Sequence, residues 1–71
     1  MFPFRYIVRA NDKTIKEFIR LANHFGYEGA NWTFEWMDGG RAIFSFDTDE
    51  RRTVFRVTAW FWQISGHTPQ P

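Results

Sequence analysis

The feature that most constrains this chain is a change of hydrophobic period at Asn11. From Phe2 to Ala10 the residues alternate strictly. Phe2, Phe4, Tyr6, Val8 and Ala10 fall on one face, and Pro3, Arg5, Ile7 and Arg9 on the other. Period two is the signature of a half-buried strand. Beyond Asn11 the apolar steps become three and four: Ile15, Phe18, Ile19, Ala22 and Phe25, with Leu21 widening the stripe. The opposite arc holds Lys13, Lys16, Glu17, Arg20, Asn23 and His24. That is an amphipathic helix. Asn11-Asp12 offers its cap, Thr14 with Glu17 a second capping box, and Gly26 a left-handed residue to close it.

Alternation returns after a loop at Tyr27 to Asn31. Trp32, Phe34 and Trp36 face one way, Thr33, Glu35 and Met37 the other; beyond Asp38-Gly39-Gly40, Ala42, Phe44 and Phe46 oppose Arg41, Ile43 and Ser45. Parity selects the turn. A two-residue Gly39-Gly40 loop would set Trp36 against Ile43 and mix the faces. A three-residue loop from Asp38 to Gly40 sets Trp36 against Ala42, Phe34 against Phe44 and Trp32 against Phe46. This predicts a type I turn with a G1 bulge, Gly40 supplying the positive φ.

From Asp47 to Ser65, residue content and period disagree. The Thr, Val, Phe, Trp and Ile content favours a strand, which would make a four-stranded sheet. As a strand, however, Arg52, Val54, Arg56, Thr58, Trp60 and Trp62 would share one mixed face. As a helix, Arg52, Arg56, Ala59 and Gln63 group on one side, opposite Val54, Val57, Phe61 and Ile64. The period predicts a helix with the second group turned inward. Asp47 and Glu50 form its capping pair, with Asp49 also near the positive dipole end.

The element order is β-α-β-β-α. A crossover followed by a hairpin places the third strand in the middle. The fold class expected is α+β: a two-layer sandwich of a three-stranded antiparallel sheet with both helices on the even face. This topology resembles a ferredoxin-like sandwich lacking its fourth strand, which leaves the first strand as an open edge. Residues 1–66 are expected to form one domain and 67–71 a disordered tail.

Composition narrows the chemistry. The 71 residues include no cysteine, so disulfide and thiolate chemistry are absent. His24 and His67 are the only imidazoles, and neither lies at a spacing that builds a triad with Ser45 or Ser65. Asp47-Thr48-Asp49-Glu50 lacks the glycine and further ligands of a calcium loop and reads as a helix start. Gly39-Gly40 joins two strands, unlike a phosphate loop. No catalytic residue, metal site, cofactor or small-molecule substrate is expected. No apolar run reaches the ~18 residues of a membrane span, and the N-terminus does not read as a signal peptide. The expected location is cytoplasmic, or the host cytoplasm for a viral gene.

Two surfaces point to a function. The open sheet face carries Arg5, Ile7, Arg9, Glu35, Met37, Arg41 and Ile43, an apolar centre with a charged rim. The last helix is apolar over roughly 220° by the ~100°-per-residue rule, more than one sheet can cover. Trp60 and Trp62 lie on opposite flanks, with Phe55 beside Trp62. These residues predict a non-enzymatic protein-binding module acting by stoichiometric contact, as regulator, adaptor or inhibitor, a virus-encoded inhibitor of a host system among the roles. The partner expected is another protein, a second copy of the chain, or both. The alternative is nucleic-acid binding through Lys13, Lys16 and Arg20, or Arg51, Arg52 and Arg56, with Trp62 stacking. Against it stand a net charge of +1 and a pI of 8.2, below the ~9 usual for such domains.

Overall fold

The structure is a computed structural model and describes residues 1–65; the expected tail at 67–71 lies outside them. The elements are β1 (Phe4–Arg9), α1 (Asp12–Ala22), β2 (Trp32–Met37), β3 (Arg41–Phe46) and α2 (Asp49–Ser65). The sheet order is β1-β3-β2, with β3 antiparallel to both neighbours. This is the expected α+β arrangement. The hairpin register is also the expected one: Trp36 pairs with Ala42, Phe34 with Phe44 and Trp32 with Phe46. The turn type is not the expected one: Gly39 (φ 79°) as well as Gly40 (φ 74°) is left-handed, whereas a type I turn keeps both central residues at negative φ, so the loop has the expected length but draws on both glycines.

Asn11 caps α1: its side-chain oxygen accepts the Thr14 amide at 2.8 Å, satisfying one orphan donor of the first turn. The helix stops at Ala22, with Asn23 as its C-cap, earlier than the stripe to Phe25 suggests. The chain tightens as the His24 and Phe25 amides bond the Leu21 and Ala22 carbonyls, each at 2.9 Å. Gly26 therefore does not close the helix. It is glycine for another reason: at φ 149°, a Cβ there would sit 2.5 Å from the Cβ of Asn31. At α2 the cap is Thr48, whose hydroxyl accepts the Arg51 amide at 3.1 Å. Asp47, expected as the cap, instead ties the helix start to the preceding loop.

The core lies between the even sheet face and the helices. Val8, Trp32, Ala42, Phe44 and Phe46 are buried there with Ile15, Phe18, Leu21 and Ala22 of α1 and Phe55 and Ala59 of α2. Phe55 is its hub. Its ring meets Phe44 at 5.0 Å, Phe46 at 5.1 Å, Tyr6 at 5.9 Å, Phe18 at 6.2 Å and Phe25 at 6.4 Å. Aromatic pairs at such separations add to the area they bury.

Two core expectations fail. Val57 and Phe61, expected inside, are 52% and 61% exposed. Phe55, expected on the binding surface, is 0% exposed. The helix is thus turned by roughly 140° from the predicted phase, at ~100° per residue. The reason is ring packing. Phe55 and half-buried Trp62 put two large rings against the sheet, and Ala59 between them lets the helix backbone approach. The alternative face offers three branched aliphatic side chains, Val54, Val57 and Ile64, and one ring. Trp36 also departs from expectation. At the hairpin end of β2 it is 43% exposed, because α2 lies over β1 and β3.

Candidate functional site

The open face of the sheet is built from three cross-strand rows. Arg5, Ser45 and Thr33 form the first, Ile7, Ile43 and Glu35 the second, and Arg9, Arg41 and Met37 the third. Arg5, Ile7, Arg9, Glu35 and Met37 are exposed, while Arg41 and Ile43 are half-buried. The expected surface residues of the sheet are therefore brought together on one face. The third row sets two arginines directly opposite each other, an arrangement that destabilises a strand pair unless a carboxylate intervenes. Among the described residues the only ion pairs are Arg51–Asp47 and Arg52–Asp49. Among the described residues no carboxylate lies within ion-pair distance of Arg5, Arg9 or Arg41, and the Arg41 guanidinium donates to the Asp38 carbonyl at 3.4 Å.

β1 is a free edge, for among the described residues it has β3 on one side and nothing on the other. The Ala10 amide bonds the Gly40 carbonyl at 2.9 Å. Main-chain groups alternate in direction along a strand, so Val8, Tyr6 and Phe4 also turn theirs to β3. Arg5, Ile7 and Arg9 turn their N–H and C=O groups outward. The β2 edge is partly closed: there Gly29 donates to the Trp32 carbonyl at 2.7 Å.

α2 packs over β1 and β3, beside this free edge. Its outer face presents Val54 (43% exposed), Val57 (52%), Trp60 (58%) and Phe61 (61%). Positions 54, 57 and 61, with 60 alongside, follow three- and four-residue steps and form one stripe. Where α2 meets β1, Tyr6, Arg56, Val57 and Trp60 line a cleft of about 390 Å³. Burial pushes the Tyr6 phenol above its ordinary value, with the Arg56 charge pulling the other way. The sequence placed Val54, Val57 and Phe61 inside, so it missed them as surface. The signal that could have found them was the excess breadth of the apolar arc, which required one flank of α2 to stay uncovered. Trp60 lies where expected, outside, and Trp62 packs against the core on the other flank.

The basic residues separate into two kinds. Lys13, Lys16 and Arg20 are all exposed along α1. Arg51 is committed internally, donating to Asp47 Oδ1 and to the Phe25 carbonyl, each at 2.9 Å. Arg52 is paired with Asp49, and its Nε is buried without an acceptor. Only Arg56 of that group is exposed. The Arg51 contacts belong to a stitched corner. Asn31 donates to Asp47 at 3.2 Å and accepts the Tyr27 amide at 3.0 Å, while the Trp32 indole donates to the Gly26 carbonyl at 3.1 Å. The hydrogen bond from Asn31, and then Arg51, hold the Asp47 carboxyl below the usual carboxylate value. A second cleft of about 630 Å³ opens beside this corner, with His24, Tyr27 and Glu50 on its rim.

Among the described residues, no three of His, Asp and Glu form a group able to hold a metal. No helix among them is long and apolar enough to cross a membrane. No protein-family model, curated protein or solved structure matches this chain.

Proposed function

We propose that this chain is a non-enzymatic protein-binding module that works by stoichiometric contact, in the manner of a regulator, adaptor or inhibitor. One observation carries the reading: α2 turns Val54, Val57, Trp60 and Phe61 outward together. Contiguous apolar surface rimmed by charge marks interaction sites on small folded domains. Tryptophan beside arginine, as in Trp60 beside Arg56, is the composition of binding hot spots. The arginine-rimmed open face of the sheet is a second surface, on the other side of the sheet from α2.

The test is capture on immobilised protein followed by mass spectrometry, at low and high salt. The expected result is one protein retained at high salt by the wild type and lost with Val57→Glu or Phe61→Glu. Salt-sensitive retention of random nucleic acid, unchanged by those substitutions, would overturn the reading. It would instead favour a nucleic-acid-binding role for the exposed Lys13, Lys16 and Arg20.

A further inference from the structure

We infer that the β1 edge and the adjoining flank of α2 together form an acceptor site for an extended polypeptide strand in which acidic and apolar residues alternate. The inference deepens the protein-binding reading and rests on it. The sheet stops at β1, and α2 packs on that strand, where Val57 and Trp60 line a cleft with Tyr6 and Arg56. A strand added beside β1 would find both of its needs met. Its main chain would pair with the outward N–H and C=O groups of Arg5, Ile7 and Arg9, the usual source of affinity in strand addition. Its side chains would alternate between the two faces. Those on the even face would enter the cleft lined by Tyr6, Arg56, Val57 and Trp60, where the two rings and Val57 call for apolar residues.

Charge settles the other face and selects the occupant. The incoming side chains there lie next to Arg5 and Arg9, and Arg9 already faces Arg41 with no carboxylate between them. Acidic residues at those positions would relieve the repulsion and give the partner its electrostatic complementarity. A second copy of this chain is a poor donor. Its own β1 brings Arg5 and Arg9 to the face that calls for acids, and pairing about Ile7 would set Arg5 against Arg9.

The test titrates isotope-labelled full-length protein with a peptide of alternating Glu and Val, as long as the six residues of β1. A Lys–Val peptide serves as control. The expected result is slowed hydrogen exchange at the Arg5, Ile7 and Arg9 amides and a shifted Trp60 indole resonance. The Phe34 and Trp36 amides on the β2 edge should stay unchanged. The Lys–Val peptide should bind at least about tenfold more weakly, since like charges brought together at an interface cost affinity. Ile7→Pro, which removes one outward N–H from an edge strand, should abolish the protection.

Protection at the β2 edge, equal binding of the two peptides, or β1 amides protected in a self-associated form without peptide would each overturn the inference. If Ile7→Pro does not fold, wild-type exchange still decides. Should the peptide fail while Val57→Glu still abolishes capture of a protein, strand addition falls and the protein-binding reading stands. If capture also ignores Val57→Glu, both fall.

Discussion

The two helices differ in how much of their circumference is apolar, and that difference decides how each one packs. α1 has a defined stripe with charge opposite it, and it packs as its pattern dictates: Ile15, Phe18, Leu21 and Ala22 are buried, and Lys13, Lys16 and Arg20 are exposed. α2 carries apolar residues around more than half its surface. Several rotations would each bury a reasonable set, so periodicity alone leaves the phase open. What selects the phase is fit to the sheet. Phe55 fills the space between five other rings, and Arg51 is brought to Asp47 and the Phe25 carbonyl. The unused apolar stripe, Val54, Val57, Trp60 and Phe61, becomes exposed surface.

The sharpest way to break this comparison is to truncate one ring on each side of α2. Phe55→Ala should cost ~3–5 kcal/mol in urea unfolding, the range for a buried aromatic. Phe61→Ala should stay within ~0.5 kcal/mol, as surface changes usually do. Phe18→Ala on α1 should match Phe55→Ala. A larger loss for Phe61 than for Phe55 would return α2 to the phase its periodicity suggests.

The corner that fixes α2 is the next test. Gly26→Ala brings a Cβ within 2.5 Å of Asn31 at a positive φ. The expected loss is on the order of 1–3 kcal/mol, as for other strained backbone positions. It should be accompanied by altered shifts at the Trp32 indole, which bonds the Gly26 carbonyl. A shifted indole with unchanged stability would mean that the loop adapts and α2 is held by its core face alone.

Helix starts should behave alike in both helices. Asn11→Ala and Thr48→Ala each remove a side-chain acceptor from a first-turn amide, and each should cost ~0.5–2 kcal/mol. Asp47 should differ in kind. Its carboxyl is held below the ordinary value by Asn31 and Arg51, so its contribution is present in full above the unfolded aspartate pKa of ~3.9. It is lost as pH falls through the lower folded value. Thermal melts of Asp47→Asn should therefore lose less than wild type between neutral pH and that acid range. Parallel curves would show that the carboxylate adds nothing.

Most of the scaffold was legible because period two is strict. One misplaced residue sends a whole strand to the wrong face, so the parity of Trp36 and Ala42 admitted only the three-residue turn that is found. The open face with Arg5, Ile7 and Arg9 followed from the same parity. Other features depend on tertiary fit and left no local signal. The α1 terminus falls at Ala22, where the His24 and Phe25 amides turn back to the Leu21 and Ala22 carbonyls although the apolar stripe runs on to Phe25. The Asp47 side chain is drawn to Asn31 and Arg51, which leaves the cap to Thr48. The exposed stripe of α2 was legible only as a surplus. An arc too wide for one sheet says that a flank is exposed, but choosing that flank requires the shape of the cavity that Phe55 fills.

The smallest expected effect bears most on function. Val57→Gln exchanges a half-exposed valine in a helix for a good helix former, so stability should stay within ~0.5 kcal/mol. The same exchange at Ile15 of α1, which is fully buried, would strand a polar amide in the core and should be severe. Val57→Gln should nevertheless weaken capture of a protein partner, because Val57 belongs both to the outer stripe and to the cleft beside Tyr6. The informative result is thus a dissociation of two quantities at one residue. If stability and capture fall together, Val57 supports the fold and the outer face of α2 is not a separate surface. If capture falls alone, the flank that the core leaves uncovered is the one a partner uses.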